Sequence, residues 1–187
     1  MDPAYTGLVL KRFFKEWVLL TFLPVYLVLT FVLTFGTVSG DSMLPTLHNG
    51  ERVLVLKYPR WLAAWHLSKA FPAYDQMLIV KVPEGSEYAL EKGWFGIEHR
   101  PYMVKRLIGK PGDTIEIREG DVYRNGKKLP EPYIKEARGA DSMEAITLQD
   151  NQYFVLGDNR STGSSVDSRF FGPVLFQDLA GPVLWHF

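Results

Sequence analysis

The chain has 187 residues, 22% of them charged and 47% hydrophobic, which suits one packed domain with appendages and excludes global disorder. Lysine plus arginine equals aspartate plus glutamate at 21 each, so the formal net charge is zero and no nucleic-acid partner is expected. Cysteine is absent, which rules out disulfides, thiolate metal sites and cysteine nucleophiles; His48, His66, His99 and His186 lack ligand spacing, so neither a metal nor a cofactor is expected.

Residues 1–16 form a short segment carrying Lys11, Arg12 and Lys15. Trp17–Val38 then runs 22 residues without a charge. As a helix this stretch reaches about 33 Å, against a hydrocarbon thickness of about 30 Å, so it predicts a membrane span. Pro24 falls in its first two turns, where a missing hydrogen bond costs least, and Trp17 suits the lipid interface. No A-x-A-like cleavage site follows, unlike a removable signal peptide. The next basic residues are Arg52 and Lys57, so the charge bias predicts the N-terminus inside and residues 39–187 outside the cytoplasmic membrane.

Directly after the apolar run comes Ser39-Gly40-Asp41-Ser42-Met43-Leu44-Pro45-Thr46-Leu47. A glycine-bearing polar turn with a serine at the exit of an apolar segment suggests Ser42 as a nucleophile held near a membrane surface. Glu51–Leu56 and Asp75–Val82 read as strands. Between them Tyr58–Tyr74 is aromatic and mildly basic, with Trp61 and Trp65 on one helical face, either packed on the core or dipping into lipid. Glu84–Arg100 reads as a loop or insertion.

The next informative stretch is Tyr102–Asp113; read as a strand, its period of two places Met103, Lys105 and Leu107 on one face. A lysine among apolar neighbours prefers to be neutral, and a fall of about two to three pH units from its ordinary value would make Lys105 a base. Spacing alone leaves this open against a solvent-facing lysine. Thr114–Leu129 predicts a hairpin, with Asn125-Gly126 as a type I′ turn inside an extension spanning roughly 113–150. Glu131–Asp150 reads as polar, irregular and remote from the chemistry. Tyr153–Leu156 reads as a strand delivering Gly157-Asp158-Asn159-Arg160 at its end.

Four stretches occur in a diagnostic order: Ser39–Leu47, then Met103-Val104-Lys105-Arg106-Leu107-Ile108-Gly109-Lys110-Pro111-Gly112-Asp113, then Gly157–Arg160, then Asp167-Ser168-Arg169-Phe170-Phe171-Gly172. On these the chain resembles the bacterial type I signal peptidase family. The resemblance implies a mainly β fold, in which an N-terminal transmembrane helix precedes an antiparallel β-sheet catalytic domain. It further implies a membrane-bound serine endopeptidase that removes signal peptides from exported preproteins, with Ser42 as nucleophile and Lys105 as general base. Preprotein signal peptides and the lipid bilayer are the implied partners.

Carried over position by position, the resemblance puts Ser165 against the catalytic lysine and makes Asp167 and Arg169 its braces. Ser-Thr-Gly-Ser-Ser-Val between Arg160 and Asp167 is two residues longer than the commonest family spacing, so Ser164 is an alternative to Ser165. Gly40 stands where some members carry a serine that donates to the oxyanion, which leaves the second oxyanion donor unassigned. Met43, Met103 and Val104 are expected to line pockets for small side chains at the first and third positions before the cut. Two alternatives remain: a related serine–lysine peptidase for a specialised substrate such as a pilin, and a non-catalytic membrane-tethered binding domain.

Overall fold

The computed structural model describes residues 11–88, 91–92, 98–134 and 139–187. Lys11–Val32 is a 22-residue helix, α1, none of whose most apolar stretch is buried against the rest of the chain. It ends earlier than expected. Leu33–Thr37 is not helical but forms strand β1, which pairs antiparallel with β2, Arg52–Leu56. Leu33-Thr34-Phe35-Gly36-Thr37 mixes β-branched and aromatic residues with a glycine, a poor helix composition once the sheet supplies backbone partners. Lys57 secures the junction. Its Nζ donates to the carbonyls of Leu29 (3.0 Å) and Thr30 (3.3 Å), and its N–H donates to Val32 O (2.8 Å), so it caps the last turn of α1.

Helix α2, Tyr58–Ala64, carries Pro59 in its first turn, where proline is tolerated. Trp61 and Trp65 do share a face, their rings 6.4 Å apart, but their surroundings differ. Trp61 lies 6.5 Å from Phe31 at the end of α1, whereas Trp65 is exposed. The chain continues through β3 (Met77–Lys81), the short pair β4 (Glu91–Lys92) and β5 (Glu98–His99), and β6 (Tyr102–Gly109). Part of Glu84–Arg100, including 93–97, lies outside the described residues. Next come β7 (Thr114–Arg118), β8 (Asp121–Arg124), β9 (Lys127–Lys128), β10 (Met143–Thr147) and β11 (Gln152–Leu156). Helix α3 (Ser168–Phe171), β12 (Val174–Leu175) and β13 (Leu179–His186) complete the chain.

The fold is mainly β and antiparallel. A seven-stranded sheet has the order β1-β2-β13-β3-β6-β11-β12, and a four-stranded sheet has the order β10-β7-β8-β9. Asn125 and Gly126, at φ 55° and 76°, form the expected turn between β8 and β9. Strand β6 is the seam between the sheets: Leu107 packs with Leu78, Val80 and Val155, while Ile108 packs with Ile115, Phe154 and Leu156. At Gly109 a Cβ would come within 2.8 Å of Ile115 and Leu148 side chains, so the two sheets meet there only across a glycine. Strand β10 overturns the expectation that Glu131–Asp150 is irregular throughout. A third cluster of Val38, Met43, Leu47, Val53, Val55 and Val183 underlies the serine turn.

Candidate active site

Ser42 sits in the loop joining β1 to β2. Val38 extends that ladder by donating to Glu51 O (2.8 Å) and accepting from Gly50 N (2.9 Å). The loop then tightens into a turn, with Leu44 N donating to Asp41 O (3.2 Å) and Leu47 N to Met43 O (2.9 Å). Met43 and Leu47 anchor the turn in the core, which leaves Ser42 half-buried at its rim. Beyond β13 and β3 in the same sheet, β6 brings Lys105 opposite Leu78 of β3. The lysine is only 2% exposed, and its Nζ lies 2.8 Å from Ser42 Oγ and 3.2 Å from Ser165 Oγ.

Burial is the dominant influence on this ammonium and lowers its pKa from 10.5 to about 8; Asp167 opposes the shift, Arg169 adds to it and Asp158 opposes it. Of the two serines, Ser165 is the one whose hydroxyl meets the lysine, while the Ser164 N–H donates to Ser161 O (3.0 Å). Ser165 Oγ donates to Asp167 Oδ2 (2.8 Å), so toward Lys105 it can only accept. Burial works to raise the Asp167 carboxyl, but Arg169, the Gly157 N–H and the Ser165 hydroxyl outweigh it and hold it below the usual range. Arg169 forks onto both Asp167 oxygens, at 2.9 Å each.

Gly157–Arg160 locks this arrangement from behind. Asn159 N donates to Ser42 O (3.0 Å) and its Nδ2 to Asp41 O (3.1 Å), so the motif grips the backbone of the serine turn. Asp158 receives Arg106 on both oxygens (2.7 and 2.5 Å) and also the Thr46 hydroxyl (2.5 Å), tying β6 to the same turn. A Cβ on Gly157 would fall 2.2 Å from Ser165 Oγ and 2.5 Å from Ser42 O, which leaves glycine as the residue that fits. Gly40 has φ +87° and donates its N–H to Asn49 Oδ1 (3.0 Å), so that N–H is already committed. Among the described residues the Ser42 N–H has no partner.

A buried lysine within hydrogen-bond reach of a serine, oriented by a third group, has the layout of an activated nucleophile. Residues 10–187 match the family model described as signal peptidase, peptidase S26. The chain belongs to the signal peptidase family. Signal peptidase I S of Bacillus subtilis is 35% identical over 172 residues, covering 85% of this chain and 80% of that protein. A probable signal peptidase I-1 of Synechocystis is 34% identical over 181 residues, covering 94% of this chain and 83% of that one. A solved signal peptidase I from Enterococcus faecalis superposes with a TM-score of 0.46 at 28% identity, over 63% of this chain and 100% of that chain. As a member of the signal peptidase family, the chain is a serine peptidase, a hydrolase acting on signal peptides.

Beside this signal peptidase's serine turn lies a cleft of about 520 Å³, walled by β1, β2 and β6 through residues such as Gly36, Thr37, Val53, Met103 and Val104. Met103 and Val104 both line this cleft. Met43 is not on the wall; at 1% exposure it packs beneath, with Val53 and Val55. The stretch expected to be remote from the chemistry instead braces it. Glu131 pairs with buried Arg160, whose Nε donates to Gly157 O (2.7 Å), and Tyr133 stacks 4.0 Å from the Arg106 guanidinium. Asp141 accepts from Arg169 Nη1 (2.8 Å). No local pattern marks Glu131, Tyr133 or Asp141, since their partners lie 27 to 29 residues away in the chain.

Proposed function

We propose that the protein is a membrane-bound serine endopeptidase that removes signal peptides from exported preproteins by a Ser42–Lys105 dyad and an acyl-enzyme. The observation that carries this reading is the 2.8 Å contact between Ser42 Oγ and a lysine Nζ buried enough to be neutral near pH 8. Neutral Lys105 has one lone pair and two N–H bonds. Ser165 accepts one N–H, and the lone pair faces Ser42. As Ser42 Oγ attacks the scissile carbonyl, its proton passes to Nζ. The ammonium then protonates the departing amine, leaving an ester on Ser42. Lys105 next takes a proton from water, the hydroxide attacks the ester, and the proton returns to Ser42 Oγ. The Ser42 N–H is free to donate to the developing oxyanion, a contact worth about 3–4 kcal/mol in related serine chemistry.

Met103 and Val104 suit small side chains of an extended substrate in the cleft. Helix α1 is long enough to cross a bilayer, and Lys11, Arg12 and Lys15 favour an N-terminus inside, with the peptidase domain on the far side. Cleavage of a preprotein in detergent by wild type, Ser42→Ala and Lys105→Met tests the dyad: both variants should lose essentially all activity, and near-normal turnover by either sinks it. Digestion of the peptidase domain by protease added to intact spheroplasts is the expected topology result; digestion only after lysis would reverse the orientation.

A further inference from the structure

The cleft does not stop at the positions next to the cut. One end, at Thr37 and Val104, adjoins the serine turn and Lys105. The other end reaches the last turn of α1 and is bounded by Thr30, Thr34, Lys57, Arg60, Trp61 and Tyr102. Two of these side chains are cations, and no carboxylate lines the cleft among the described residues. Both cations are held in place. Lys57 Nζ spends two donors on the Leu29 and Thr30 carbonyls and keeps a third, since an ammonium has three. Arg60 lies 5.2 Å over the Trp61 ring and donates Nη2 to Gln177 O (3.2 Å), while its buried Nε has no hydrogen-bond partner. This is the one such buried side-chain atom among the described residues.

The direction of a bound substrate follows from the anchor. Strand β1 starts where α1 ends, so the Lys57–Arg60 end of the cleft is nearest the bilayer. A signal peptide has its N-terminal flank in the bilayer and enters from that end. Leu33 pairs with Leu56, just before Lys57, and lies four residues before Thr37 on β1; an extended substrate running beside β1 has the same rise per residue, so side chains about four to six positions before the cut reach Lys57 and Arg60. We infer that the anchor end of the cleft is a charge-selective subsite in which Lys57 and Arg60 favour acidic side chains at those positions and reject basic ones. The inference rests on the cleft being the groove that binds the signal peptide.

The test uses the full chain in detergent and two precursors identical except for Asp or Lys at the fifth position before the cut. Wild type should show a kcat/KM ratio favouring Asp by roughly three- to tenfold, the size expected of one or two partly solvated charge pairs. Arg60→Glu should pull the ratio to unity or below, and Lys57→Glu with Arg60→Glu should invert it. Both precursors meet the same enzyme, so a loss of folded protein scales both rates and leaves the ratio unchanged. A wild-type ratio within about twofold of unity, or one that Arg60→Glu leaves in place, overturns the subsite while leaving the peptidase reading standing. Failure to cleave either precursor overturns both.

Discussion

Lys105→Met separates the chemistry of the base from its energetics. Holding an ammonium at about 8 instead of 10.5 corresponds to about 3 kcal/mol of destabilisation of the charged form in the folded state. Below pH 8 both folded and unfolded chains carry the proton, and the folded chain bears the full cost. Between about 8 and 10.5 the folded chain releases the proton first, so the cost fades, and above 10.5 it is gone. Methionine is similar in volume and needs no hydration, so the variant should be inactive yet more stable than wild type at pH 7, by about 2–3 kcal/mol after the lost contacts to Ser42 and Ser165 are deducted. Urea unfolding of the detergent-solubilised chain, followed by tryptophan fluorescence at pH 7, 8.5 and 10, measures this. The advantage should shrink steadily as the pH rises. Equal or lower stability of the variant at pH 7, with no pH dependence of the difference, would refute the buried, destabilised lysine and with it the claim that burial makes the base.

The proposed dyad gives the wild-type rate the same signature, because in it the charged lysine is the inactive form: kcat/KM should rise about tenfold between pH 7 and 9 and level off above, as expected for a base near 8. A rise continuing through pH 10 would mean an ordinary lysine. Gly157→Ala forces a Cβ to 2.2 Å from Ser165 Oγ and 2.5 Å from Ser42 O, so turnover should drop by about a hundredfold while circular dichroism stays native. Arg106→Met strands the Asp158 carboxylate in the interior and should cost about 3–5 kcal/mol in denaturant midpoints. Glu131→Ala strands Arg160 in the same way, whereas Asp141→Ala leaves Arg169 still forked on Asp167 and should cost about 1 kcal/mol; equal losses would defeat the burial argument.

What could be read from the sequence was whatever short-range pattern controls. Asn125-Gly126 specifies its turn through backbone conformation, and alternation along Tyr102–Gly109 keeps Met103, Lys105 and Leu107 on one face, so both appear as expected. The end of α1 was not legible. Leu33–Thr37 is as uncharged as Trp17–Val32 before it, and only its pairing with β2 makes it a strand. Strand β13 went unseen because Gly181 and Pro182 interrupt it. Gly181 is needed there, since a Cβ would meet Leu56 O at 2.0 Å, and the β13–β3 register shifts next to it. Ser164 and Ser165 could not be told apart by spacing, because the choice depends on how the loop from Arg160 folds back onto Asp167.

The larger omission, the role of Glu131, Tyr133 and Asp141, has a physical reason that also explains why this site has two sheets. A lysine is neutral near pH 8 only if water is kept from it, and a sealed interior makes every other charge near it expensive. Asp158, Asp167, Arg160 and Arg169 must lie close to Lys105 to hold the serine turn and Ser165, so each needs a partner that is itself fixed. The seven-stranded sheet supplies Arg106 for Asp158. The segment that carries the second sheet supplies the rest: Glu131 for Arg160, Asp141 for Arg169, and the Tyr133 ring beneath Arg106. Such partners are chosen by position in space, which explains why they left no motif in a stretch that reads as polar and irregular. The same constraint bears on the serine turn. With Gly40 N committed to Asn49, and the Asp41 and Ser42 carbonyls both held by Asn159, the turn is fixed on either side of the Ser42 N–H, which has no partner among the described residues. Its direction is set by the same polar lattice that sets the lysine.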